Sequence, residues 1–232
     1  MNDTDALCQI IDRIDMDSLS PAELTDIRYR LLDWLGCVLG AGCTQTAKAV
    51  FSLSGGYGAS RGRCTTIGIS TGTAPAPAAF VNGMLGHALE YDDTNKIAIT
   101  HPGGVVVAAA LAAAEQEDAD FGQFAASVAA GYEVMIRLGG ALNPSHYRYW
   151  HTTGTCGAFA AAAVAGKLMG LDKDQMRAAL GIAATMASGL VAVFGTEAKL
   201  ATVGNAAANG IIAVSLAEAG FTAPGDIIRG DQ

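Results

Sequence analysis

All four histidines of the chain, His87, His101, His146 and His151, fall within one 65-residue stretch. Imidazoles used as filler would be scattered. The first two bracket an acidic run, His87-Ala-Leu-Glu90-Tyr91-Asp92-Asp93-Thr94, followed by Thr100-His101-Pro102. Carboxylates beside imidazoles suit proton transfer, because the acid orients the ring and tunes its basicity. Both histidines are predicted in loops between helices, where functional groups concentrate. His101-Pro102 stands just before a helix start, so its ring would feel the positive end of that helix and favour the neutral, proton-accepting form. The plainer alternative makes Glu90, Asp92 and Asp93 solvated charges at a helix end. Charged residues are only 16% of the chain, and two adjacent aspartates with histidines on both sides favour function.

A second stretch, Tyr149-Trp150-His151-Thr152-Thr153-Gly154-Thr155-Cys156-Gly157, runs directly into an Ala-rich helix. Hydroxyls and glycines at a helix N-terminus suit a carboxylate, since free backbone N–H groups and the helix dipole point there. Val134 to Leu171 contains no Asp or Glu but carries Arg137, His146, Arg148, His151 and Lys167, so an anionic ligand would be tolerated. Against this, His151 can be read as a satisfied core histidine, and Cys156 as a small buried hydrophobe rather than a nucleophile. The third stretch is Gly195-Thr196-Glu197-Ala198-Lys199, with Lys199 the one cation between Arg177 and Arg229. Alone, that residue reads as an ordinary loop lysine.

The elements that must position these groups read as helices. Of 232 residues, 45 are Ala and 29 Gly, with 51% apolar and 6% aromatic, as in closely packed helices with small side chains. Helices are predicted from Thr4 to about Asp15, from Pro21 to Gly40-Ala41-Gly42, and from Gln45 to Leu53. Ser20-Pro21-Ala22-Glu23 carries the signals of a capped start. A Gly-rich loop spans Gly55 to Gly62, and Cys64 to Ile69 is a short strand. Further helices lie near 77–88, 103–117, 120–142, 154–170, 173–190 and 205–220. The expectation is one all-α domain over 1–232 with at most a short extended element.

The charge balance, 14 Lys+Arg against 22 Asp+Glu, is −8. An acidic chain makes a poor nucleic-acid or anionic-membrane binder, so neither partner is expected. An uncharged run, Ala178 to Thr196, draws its hydropathy from Ala and contains three glycines, as in a broken buried helix rather than a membrane span. Five cysteines without a CxxC pair, and an acidic start unlike a signal peptide, point to reduced thiols and a cytoplasmic location. Phosphate-loop and HExxH motifs are absent. A metal site from His87, Asp92, Asp93 and His101 is conceivable, though none of the spacings is diagnostic.

Taken together, the three stretches resemble the MmgE/PrpD family, which includes 2-methylcitrate dehydratase, cis-aconitate decarboxylase and iminodisuccinate epimerase. The matching residues are Asn82-Gly83, His87-Ala-Leu-Glu90-Tyr-Asp-Asp-Thr94, His101-Pro102 and Gly131-Tyr-Glu-Val134. They continue with His151-Thr-Thr-Gly154-Thr-Cys-Gly157, Lys167-Leu-Met-Gly-Leu-Asp172, Lys199 and Gly204-x-Ala-Ala-x-x-Gly210. The likeness runs from the Leu31–Gly36 helix to Gln232. It departs at Glu90, where the family usually has Asp, and at Leu200, where it often has a basic residue.

The resemblance implies a large helical domain, usually in a homodimer, with a smaller α+β lid; this sequence looks like the first half, without the lid. It implies a lyase-type enzyme, a dehydratase or possibly a decarboxylase or epimerase, removing a proton next to a carboxylate of a small di- or tricarboxylic acid such as 2-methylcitrate. His101, His151, Lys199 and Asp93 would be catalytic, with Glu90, Asp92, Thr94 and Thr153 contacting substrate. Lys199 would pair with a substrate carboxylate, the histidines would share proton transfer and carboxylate orientation, and Glu90, Asp93 and Thr94 would orient them. Which histidine is the base stays open. No metal or organic cofactor is implied. Two rival readings remain: a non-catalytic helical dimerisation partner lacking its lid, and a metal-dependent hydrolase. The catalytic reading requires His101, His151 and Lys199, from three separate loops, to meet beside Asp93.

Overall fold

The computed structural model describes residues 2–57 and 61–230. Nine helices account for most of the described residues: α1 Asp3–Arg13, α2 Pro21–Ala41, α3 Gln45–Tyr57, α4 Pro75–His87, α5 Pro102–Glu117, α6 Phe121–Leu142, α7 Thr152–Leu168, α8 Lys173–Met186 and α9 Ala198–Glu218. One four-residue strand, β1 Arg61–Cys64, completes an all-α fold.

The capping signals work as their chemistry dictates. Ser20 and Glu23 close a reciprocal capping box at the start of α2, and Asp172 with Gln175 does the same for α8. Asp120 with Gln123 caps α6 in the same way. Helices α4, α5, α7 and α9 are apolar nearly all round and lie in the interior, where such helices belong. Alanine and glycine let them approach closely. A Cβ on Gly204 would overlap the Phe80 carbonyl oxygen, and Gly83 would meet Gly204 Cα at 3.1 Å, so α4 and α9 cross almost backbone to backbone.

Several boundaries differ from the sequence expectation. Helix α9 begins at Ala198, not near 205, because Gly204 and Asn205 are helix interior at that crossing rather than a start signal. Lys199 is therefore a first-turn helical residue, 6% exposed, and not a loop lysine. Helix α8 stops at Met186, and the uncharged run Ala178–Thr196 breaks at Gly189, whose φ of +123° is inaccessible to most residues. Helix α3 continues through Gly55 and Gly56 to Tyr57. The strand precedes its expected place, pairing Cys64 with Thr73, while 65–69 are not strand and turn at 67–68. Residues 58–60 of the expected glycine loop lie outside the described residues. By length and composition α9 could cross a membrane, but two thirds of its apolar window is packed inside the protein.

Candidate active site

Three helices bring their N-termini to one place. His101 is the N-cap of α5, His151 is the N-cap of α7, and Lys199 is the second residue of α9. Glu90, Asp92 and Asp93 come from the turn after α4, which ends at the fully buried His87. The His87 ring lies between the other two imidazoles, 4.7 Å edge-on from His101 and 6.0 Å from His151. Phe194 joins the group from the loop before α9: its ring is 5.0 Å from the His151 ring and 4.8 Å from the Lys199 ammonium. His101, His151 and Lys199 thus converge, as the family resemblance requires.

Each is held by identifiable partners. The His101 backbone N–H donates to the hydroxyl of Thr153 at 3.1 Å, tying the start of α5 to the first turn of α7. His151 Nδ1 is 2.7 Å from the Thr202 hydroxyl, and its backbone N–H donates to the Gly189 carbonyl at 3.0 Å. Lys199 Nζ forms an ion pair with Glu90 Oε2 at 3.0 Å. Glu90 takes a left-handed backbone, φ +52°, unusual for a non-glycine residue and more natural to Asp or Asn.

The two aspartates divide their work. Asp92, buried, receives His87 Nδ1 at 2.9 Å from both carboxylate oxygens, and its Oδ1 lies 3.6 Å from His101 Nδ1, just beyond hydrogen-bond reach. Asp93, expected beside the catalytic trio, instead accepts from the Arg30 guanidinium, the Tyr132 hydroxyl and the Gly103 N–H, each at 2.8 Å. Its carboxylate ties α2 and α6 to the start of α5. Gly103 and Gly104 leave room for both acids, since a Cβ there would stand 2.8 Å from Asp93 Oδ1 and 3.3 Å from Asp92 Oδ2 respectively. Asp92, read from sequence as touching substrate, is 1% exposed at its side chain and touches imidazole. Thr94 is exposed, and Thr153, fully buried, holds the His101 backbone.

Burial sets the protonation states. It pushes His151 down to about 3, with the nearby His87, Lys199 and His101 charges adding to the effect. His101 is also lowered, chiefly by burial, while the Asp92 charge pulls the other way. Both imidazoles are therefore neutral near pH 7. The lysine in turn holds Glu90 below the usual carboxylate range. Among the described residues, His87 Nε2 and His101 Nδ1 are buried without a hydrogen-bond partner.

Atoms of His87, Asp92 and His101 lie within 4.8 Å of one another, close enough to surround a cation. The 2.9 Å His87–Asp92 contacts are those of hydrogen bonds. Sequence reasoning missed two members. His87 reads in sequence only as a conceivable metal ligand outside the catalytic set, and Thr202 carries no signal beyond lying three residues, about one helical turn, past Lys199.

A family model described as the MmgE/PrpD N-terminal domain matches residues 5–232. A cis-aconitate decarboxylase of Aspergillus terreus is 32% identical over 229 residues, covering 95% of this chain and 46% of the relative. The cis-aconitate decarboxylase-like protein oryM of Aspergillus oryzae is 30% identical over 234 residues, covering 95% and 48%. The human cis-aconitate decarboxylase is 38% identical over 154 residues, covering 63% and 32%. This chain spans about half the length of its fungal relatives. Matched to the family model along nearly its whole length, the chain belongs to the MmgE/PrpD family, through that family's N-terminal domain.

Proposed function

We propose that this chain supplies the helical half of a lyase that moves a proton next to a carboxylate of a small di- or tricarboxylic acid, by dehydration, decarboxylation or epimerisation. The observation that carries the reading is the meeting of His101, His151 and Lys199, from positions 50 and 48 residues apart, at three helix N-termini. Helix N-termini and a buried ammonium favour substrate carboxylates. A neutral imidazole beside them can accept or return the proton, and the cation stabilises charge that develops on the carboxylate. In this reading Lys199 binds a carboxylate in exchange for Glu90, His101 transfers the proton, and Thr153 holds the His101 backbone in place.

Cis-aconitate and 2-methylcitrate are the leading substrates, the first by the curated relatives and the second by the dehydratases of the family. A cytoplasmic location and a homodimer accompany the proposal. Exposed Tyr29, Leu32 and Leu39 on α2 and the neighbouring Tyr91 support a face that is covered in the working protein. The test is to incubate the full protein carrying this chain with cis-aconitate, 2-methylcitrate and related acids, following carbon dioxide release, loss of water and inversion separately. Turnover of one acid is expected. Failure of every acid to bind or react contradicts the reading and leaves the dimerisation partner as the better one.

A further inference from the structure

The hydrogen bonds around Thr202 determine which nitrogen of His151 carries its proton. Thr202 Oγ1 lies 2.7 Å from the Lys199 carbonyl oxygen, one turn earlier in α9. That carbonyl can only accept, so the single hydroxyl hydrogen of Thr202 is committed to it. The same Oγ1 lies 2.7 Å from His151 Nδ1. With its hydrogen spent, the hydroxyl can only accept from the ring, which places the imidazole proton on Nδ1 and leaves Nε2 bare. The contact is rigidly framed. The His151 N–H is pinned to the Gly189 carbonyl at 3.0 Å, and a Cβ on Gly189 would stand 3.3 Å from Thr202 Cβ and 3.4 Å from His151 Cβ.

We propose that Thr202 is a positioning residue that locks His151 as an Nε2 acceptor, so that His151 accepts a hydrogen bond from a donor group of the substrate while Lys199 holds the carboxylate and His101 moves the proton. A bare ring nitrogen repels a carboxylate oxygen and attracts a donor. His151 therefore belongs with a hydrogen-bond donor of the substrate rather than with its charged end. Because the hydrogen bond from Thr202 ends on the Lys199 backbone, one side chain sets both the tautomer of the acceptor and its place relative to the cation. The inference about substrate rests on the lyase reading; the tautomer does not.

The experiment records long-range 15N–1H correlations of the imidazoles in the full protein carrying this chain, with His151 assigned through His151→Gln. The spectrum is expected to show His151 protonated on Nδ1. Protonation on Nε2 overturns the proposal whatever the enzyme acts on. Thr202→Val keeps the shape and removes the hydroxyl. It is expected to mix the two tautomers and to lower kcat about 10- to 100-fold while KM stays within threefold, and Thr202→Ser should restore both. A Thr202→Val protein with an unchanged His151 spectrum, or with unchanged kcat, contradicts the lock. If Thr202→Val does not fold, the wild-type spectrum alone decides. If no acid is turned over but the spectrum is as expected, the lyase reading fails and the lock stands.

Discussion

Lys199 Nζ and Glu90 Oε2 lie 3.0 Å apart, with the lysine side chain 7% exposed and the glutamate 54% exposed. The pair is a buried cation covered by an acid that water can reach, so a soluble carboxylate competes with Glu90 for the same ammonium. Glu90→Gln removes the competitor's charge and should tighten binding of a small tricarboxylate about threefold or more. Lys199→Met should weaken it at least tenfold, about 1.4 kcal/mol. Calorimetric titration checks both. Equal affinity in the wild type and Lys199→Met would mean that the carboxylate binds elsewhere.

His151 gives stability a pH dependence of known sign. Its folded-state value, about 3, lies below the ordinary 6.5. Above pH 6.5 both folded and unfolded chains hold it neutral and its contribution is complete. As pH falls through the window from 6.5 toward 3, the unfolded chain takes up a proton that the folded chain refuses, and stability is lost. Between pH 7 and pH 5 the loss is about 2 kcal/mol. His101 shifts in the same direction and adds to it. Denaturant unfolding at both pH values should show a fall in stability about 2 kcal/mol smaller for His151→Gln than for wild type. Parallel falls would show that His151 titrates normally in the folded protein.

Asp93 is a framework acid. It joins Arg30 of α2, Tyr132 of α6 and the Gly103 N–H at the start of α5, and Arg30 also lies 4.7 Å over the Tyr132 ring. Asp93→Ala leaves three donors without their acceptor and should cost about 2–3 kcal/mol in unfolding free energy. Tyr132→Phe, which removes one donor, should cost about 1 kcal/mol. A change below 0.5 kcal/mol for Asp93→Ala would show that water replaces the carboxylate and that the network is incidental.

The helices and their caps were readable because they depend on local chemistry: Ser20-Pro21-Ala22-Glu23 and Asp172–Gln175 state their helix starts within four residues. The start of α9 was not, because Gly204 reads as punctuation in sequence and serves in three dimensions to let α4 approach. The site was legible as residue types, with His101, His151 and Lys199 found through spacing and resemblance. Their division of labour was not. Asp92 and Asp93 are adjacent in sequence, and alternation of side-chain direction in the turn sends one to imidazole and the other to a guanidinium. His87 and Thr202 gained roles only from contacts made across helices.

The proton-transfer role proposed for His101 is tested by the turnover of His101→Gln against wild type in the full protein carrying this chain, on whichever acid the wild type consumes, with folding checked by circular dichroism. A fall in kcat of at least a hundredfold, about 2.7 kcal/mol in the barrier, with the fold intact is the expected result. Turnover within tenfold of wild type would show that the proton moves through another group and that the histidine cluster is not the catalytic centre.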